Sequence, residues 1–217
     1  MTLCSKAEAA QIVANQLADA ANNKTVLLLS GGSSAAVGVR ALNLLHVDLQ
    51  HNITVLLADE RFVAYDSTDS NATLLKELGI ARAQVGFIEV IRPQTLSRQD
   101  TAALYWENLQ RSLTNAAHVI AVLGIGTDNH TAGILPSSAA AESQSEGVVD
   151  YSTDVFERIT IAPNFFKNID YAFVYAEGED KEAAVQAIED THNVVTHPSQ
   201  LVKNTKEWQL LFNREKI

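Results

Sequence analysis

The chain has 217 residues, a length that suits one core, and we expect a single domain over 1–217. With 47% hydrophobic and 19% charged residues and only four prolines, the composition excludes a disordered or fibrous chain. Sixteen Lys and Arg against 26 Asp and Glu give a net charge of −10 with no long basic run, which argues against a nucleic-acid partner. An anionic small substrate is admissible only where a few cations gather locally against that field.

Residues from about 5 to 21 place Ala9, Ile12, Val13, Leu17 and Ala20 on one stripe at helical spacing, ended by Asn22 and Asn23. This opening segment carries Lys6, Glu8 and Asp19 and lacks the apolar core of a secretion signal. No later stretch nears the ~20 apolar residues of a membrane span. Cys4 is the single cysteine, so no internal disulfide can form. Together these features lead us to expect a cytoplasmic protein with no membrane partner.

TVLLLS (25–30) is a continuous apolar run of the kind needed by a strand buried on both faces, and the segment after GGSS has helical periodicity. The grammar then repeats. NITVLLA (52–58) reads as a strand, DERFVAYDSTDSN as a polar loop, and ATLLKELG (72–79) as a short helix closed by Gly79, with Asn71 read as its cap and, as the alternative, as a residue that closes a site. FIEVI (87–91) reads as a further strand, 97–116 as a helix capped by Ser97, and HVIAVLGIG (118–126) as another buried strand. After a small-residue loop over 137–147 come strands at 158–162 and 170–178, a helix from about 180 to 190, and a strand at 207–212. Alternation of this kind predicts an α/β fold: a mostly parallel sheet with helices on both faces, since parallel strands need crossovers.

Open α/β sheets bind ligands beyond the carboxyl ends of their strands, so the residues just after each strand are the ones to inspect. After the first, Gly31 and Gly32 permit a sharp turn into a helix start, where unpaired N–H groups and the positive dipole end suit a phosphate, with Ser33 adding a hydroxyl. Neither a Walker lysine nor a GxGxxG pattern is present; a plain tight turn with Ser33 as cap is the alternative. After the second strand stand Asp59, Glu60 and Arg61, which either orient a base, hold a sugar hydroxyl or grip a phosphate, or merely form a surface ion pair. After the strand at 118–126 come Asp128 and His130: imidazole is the side chain that ordinarily titrates near neutrality, and an aspartate can fix its tautomer. The other five histidines show no ligand spacing, so no metal site is expected.

In order, SGGSS, ADERFVAYDSTDSNATLL and LGIGTDNHTAGILP resemble the motifs of the 6-phosphogluconolactonase family, and the resemblance runs from about residue 25 to 212. It implies a Rossmann-like fold of the sugar-phosphate isomerase and lactonase superfamily, which also includes glucosamine-6-phosphate deaminase. Departures stand at Asn129, Gly133, Ile134, Leu135 and Ala35, where the family usually has Gly, Ser, Leu, Phe and Pro. Asn tolerates a left-handed backbone best among non-glycine residues, so the turn is expected to survive the first change.

The resemblance implies 6-phospho-D-glucono-1,5-lactone as substrate, no metal and no organic cofactor. It makes His130 the general base on water, with Asp128 orienting it and main-chain N–H groups of the glycine turns receiving the oxyanion. It places the 6-phosphate against Gly31, Gly32 and Ser33, helped by Arg61, Arg158 and Lys181; for the last two, spacing alone would suggest ordinary solvated charges. Asp59 is a further candidate catalytic residue, and in a deaminase or isomerase it would abstract a proton from carbon. A sugar-phosphate binder without catalysis is the remaining alternative. A weak homo-oligomer is compatible with the chain.

Overall fold

The structure, a computed structural model, describes residues 1–92 and 96–215. In chain order its strands and helices are β1 (Thr2–Leu3), α1 (Lys6–Ala20), β2 (Thr25–Leu29), α2 (Ser33–Leu44), α3 (Val47–Gln50), β3 (Ile53–Leu57), β4 (Asp59–Arg61), α4 (Asn71–Glu77), β5 (Gly86–Ile88), α5 (Arg98–Thr114), β6 (His118–Gly124), β7 (Val148–Ser152), β8 (Glu157–Ile161), β9 (Tyr171–Glu177), α6 (Glu182–Glu189) and β10 (Glu207–Asn213).

Seven strands form one parallel sheet in the order β1-β10-β9-β6-β2-β3-β5. Its centre is the part with the fewest polar side chains: every residue of β2 is buried, and Leu27, Leu28, Leu29, Leu56 and Phe173 are almost wholly removed from water. Each such side chain contributes about 1.5–3 kcal/mol of burial, which is why these runs sit inside rather than at an edge. The mostly parallel architecture expected from the alternation is present.

Topology explains where a ligand fits. From β2 the chain steps outward through β3 to β5, then returns to the other side of β2 with β6. Loops leaving β2 and β6 therefore diverge, and the crevice between them is the switch point of the sheet. Register fixes their height, since Leu29 pairs with both Leu57 and Val122. Ser30, Asp59 and Gly124 consequently emerge at one level.

Several expectations need correction. Asp59–Arg61 is not loop but β4, which pairs antiparallel with β8, itself paired with β7 in a second, three-stranded sheet. The RITIA strand thus belongs to this small sheet and not to the parallel series. FIEVI forms only the three-residue β5, Gly86–Ile88. β1, α3 and β7 were not anticipated: β1 has two residues, α3 four, and β7 (VVDYS) lacks a clean alternation. Ser70, not Asn71, caps α4, its hydroxyl accepting from Thr73 N at 3.3 Å. Gly79 does close that helix, with φ +91°.

Candidate active site

The crevice is a cavity of about 220 Å³ lined by residues from all three anticipated strand ends and by two cationic side chains from farther along. Gly31, Gly32, Ser33, Asp59, Arg61, His130, Arg158 and Lys181 all face it. Asp128 does not line it; it stands behind His130. Ser30 and Gly133 also line the cavity and were not singled out from the sequence as site residues, and Asn71 lines it too, in keeping with its alternative reading as a residue that closes the site.

On one wall, Asp128 Oδ1 lies 2.6 Å from His130 Nδ1 and also accepts the His130 main-chain N–H at 3.1 Å. The hydrogen bond from His130 holds the Asp128 carboxyl down to about 2, so at neutral pH it is a pure acceptor. Nδ1 must then carry the proton, and in the neutral ring Nε2 keeps its lone pair. Asn129, between them, has φ +68°, the left-handed conformation for which asparagine is suited. Thr131 Oγ1 donates to the Gly124 carbonyl at 2.8 Å and closes the loop back onto β6.

Opposite lies the start of α2. Its N-cap is Gly32 at φ +69°, ψ −150°, with no side-chain cap hydrogen bond, so the expected alternative of Ser33 as cap does not hold. L-residues avoid that backbone region. No side chain therefore caps this 12-residue helix, and Gly32 and Ser33 at its start line the cavity, where an anion is favoured, while the Ala35 N–H is already donated to the Gly32 carbonyl at 3.2 Å.

The third wall comes from the small sheet. Arg61 and Arg158 are register partners across β4 and β8, and both guanidinium groups lie over the Phe156 ring, at 4.8 and 5.9 Å from its centroid. Arg61 donates through one terminal nitrogen to the Asp69 carbonyl at 3.1 Å, while its Nε and the Nε of Arg158 are buried without a partner among the described residues. Buried donors of this kind call for an acceptor. Arg158 stands 3.9 Å from Asp59, a residue only 5% exposed, whose Oδ1 also lacks a partner among the described residues. Burial pushes the Asp59 carboxyl up, against the opposing pull of Arg158, the nearby Ser30 hydroxyl, His130 and Arg61.

Glu60 points elsewhere. Fully buried, it accepts the N–H groups of Arg61, Asn71 and Ala72 at 2.8, 2.7 and 2.9 Å and the Ser70 hydroxyl at 2.9 Å. A surface ion pair closing the DER loop is therefore ruled out, since Glu60 fastens α4 to β4. Among the described residues no group of three His, Cys, Asp or Glu side chains is placed to hold a metal, and no helix is long and apolar enough to cross a membrane.

A family model described as glucosamine-6-phosphate isomerases/6-phosphogluconolactonase matches residues 4–211. The 6-phosphogluconolactonase of Neisseria meningitidis is 28% identical over 216 residues, covering 91% of this chain and 90% of that protein. Among solved structures, the 6-phosphogluconolactonase of Thermotoga maritima superposes with a TM-score of 0.79 at 19% identity, covering 99% of this chain and 98% of that one. A monomeric glucosamine-6-phosphate deaminase gives the same TM-score at 18% identity, covering 99% and 97%.

Proposed function

The chain belongs to the glucosamine-6-phosphate isomerase/6-phosphogluconolactonase family, and from that premise we propose that its cavity hydrolyses 6-phospho-D-glucono-1,5-lactone to 6-phosphogluconate, the lactone step of the oxidative pentose phosphate pathway. The observation that carries this reading is the pairing, in one cavity, of an Asp128-oriented imidazole with an uncapped helix start and three cations.

Water adds to the lactone carbonyl as His130 Nε2 takes its proton. The resulting alkoxide is held by cavity-lining N–H groups other than that of Gly126, which already donates to the His130 carbonyl at 2.9 Å. Collapse breaks the bond from the carbonyl carbon to the ring oxygen, and the imidazolium returns its proton to that oxygen. Asp128 stays ionised throughout and keeps the ring in place. Meanwhile the 6-phosphate rests on Gly31, Gly32 and Ser33, with Arg61, Arg158 and Lys181 supplying the local positive charge that a protein of net charge −10 otherwise lacks. The free oxygen of Asp59 takes a sugar hydroxyl. We place the reaction in the cytoplasm, where a chain with one cysteine is at home.

A second reading has one observation in its favour. Asp59 is a buried carboxyl with a raised pKa facing the same cavity, the equipment of a base that removes a proton from carbon. Two assays on one preparation separate the readings: hydrolysis of the phosphorylated lactone above its spontaneous rate, and ammonia release from glucosamine 6-phosphate. Lactone hydrolysis without ammonia supports the proposal. Ammonia release without lactone hydrolysis would transfer the assignment to the deaminase, and 6-phosphogluconate binding with neither activity would leave a binder.

A further inference from the structure

Asn71 touches two of the three strand-end loops, yet it is neither acid, base nor cation. Its Nδ2 donates to the Asp59 main-chain oxygen at 2.9 Å and to Asp59 Oδ2 at 3.2 Å. Its Oδ1 presses so closely on Gly31 that any Cβ added there would overlap it, so Gly31 is required by Asn71 as much as by the turn. The residue is 4% exposed, and its own N–H is tied to Glu60 at 2.7 Å. Asp59 meanwhile has one oxygen engaged by Asn71 and the other, Oδ1, buried at the cavity with no hydrogen-bond partner among the described residues.

We propose that Asn71 is a positioning residue: its amide holds one oxygen of Asp59 so that the other is presented to the substrate, and Glu60 anchors Asn71 in that pose. The proposal rests on the reading above only in that Asp59 receives a sugar hydroxyl. The charged and titratable groups around Asp59 are Glu60 and Arg61 on its own strand, Arg158 of β8, His130 after β6, Tyr105 of α5 and Tyr151 of β7. Asn71 acts on Asp59 as a neutral hydrogen-bond donor, whereas Arg158 acts through its charge at 3.9 Å, which makes the two effects separable.

The test replaces Asn71 by Ala, which leaves Ser70 and Glu60 to keep α4 docked. We expect kcat/KM for the phosphorylated lactone to fall roughly tenfold, chiefly through KM, with the melting temperature within a few degrees of the parent. In the Asp59→Ala background the same change should cost less than about twofold, because the side-chain oxygen that accepts from Asn71 is already gone. The Asp59 carboxyl, followed by its 13C shift without substrate, should titrate at higher pH in Asn71→Ala, since a donor to the charged form has been lost. An unmoved Asp59 titration, or equal losses in both backgrounds, would overturn the proposal. Should Asn71→Ala not fold, Asn71→Asp keeps the shape against Gly31 and sets a second carboxylate beside Asp59; there, too, an unmoved titration overturns it. A parent protein without lactone hydrolysis would sink the functional reading alone, because the titration needs no substrate.

Discussion

His130 has one nitrogen to offer because Asp128 occupies the other, at 2.6 Å. Removing the imidazole in His130→Ala should lower turnover on the phosphorylated lactone by roughly 100-fold or more with the thermal midpoint unchanged, as steady-state rates and a melting curve would show. Arg61 acts on another quantity. Its Nε is buried and has no partner among the described residues, so Arg61→Ala should raise KM for a phosphorylated lactone several-fold while barely affecting an unphosphorylated one; a matched rise with both substrates would take Arg61 out of phosphate binding. The sequence made His130, Asp128 and the two arginines visible because reactive side chains directly follow recognisable strands or match a family pattern. Of the two readings Asn71 offers, cap or site residue, DSN before a helix favours the cap by ordinary capping grammar; Ser70 holds that post instead, because Asn71 turns inward to Asp59, a contact that no local pattern encodes. Gly133 is a comparable case: it has φ +67°, and a Cβ there would sit 2.6 Å from Asp59 Cβ, so the departure from Ser lets Asp59 and the His130 loop approach.

Among the elements, the long apolar runs declared themselves and the short polar ones did not. β2, β3 and β6 are nearly all aliphatic, and their burial on both faces demands such runs. β4 spells Asp-Glu-Arg, which no hydrophobic period can identify as a strand; it is extended because β8 supplies its hydrogen-bond partners and Glu60 reaches back to α4. Long-range pairing therefore builds the wall that carries both arginines. The Glu60 fastening is testable by itself. Glu60→Ala leaves several buried donors without an acceptor, and urea unfolding should show a loss on the order of 2 kcal/mol or more. A change within about 0.5 kcal/mol, the usual size of a surface substitution, would mean that α4 is held by its apolar face alone.

Across the whole molecule, a charge of −10 surrounds a cavity into which Arg61, Arg158 and Lys181 all point, so the positive focus is local and built by three separate segments. That arrangement keeps Asp59 buried and weakens the fold there. Burial raises its folded-state pKa above the unfolded value, so the native state holds this proton more tightly, and stability is lost as pH rises from the unfolded toward the folded pKa. Above that window the ionised carboxylate costs stability; below the unfolded pKa it costs none. Asp59→Asn should accordingly melt a few degrees higher than the parent at neutral pH, with the advantage fading in acid, even as activity falls. Scanning calorimetry across pH would show it, and an advantage independent of pH would assign the effect to packing.

The central claim is that imidazole and helix start grip the two ends of one phosphorylated sugar. A crystal structure with bound 6-phosphogluconate addresses it directly. The account predicts the phosphate on the N–H groups of Gly32 and Ser33 and the product carboxylate within hydrogen-bond reach of His130 Nε2; a reversed ligand, with its carboxylate at the start of α2 and its phosphate beside His130, would contradict it.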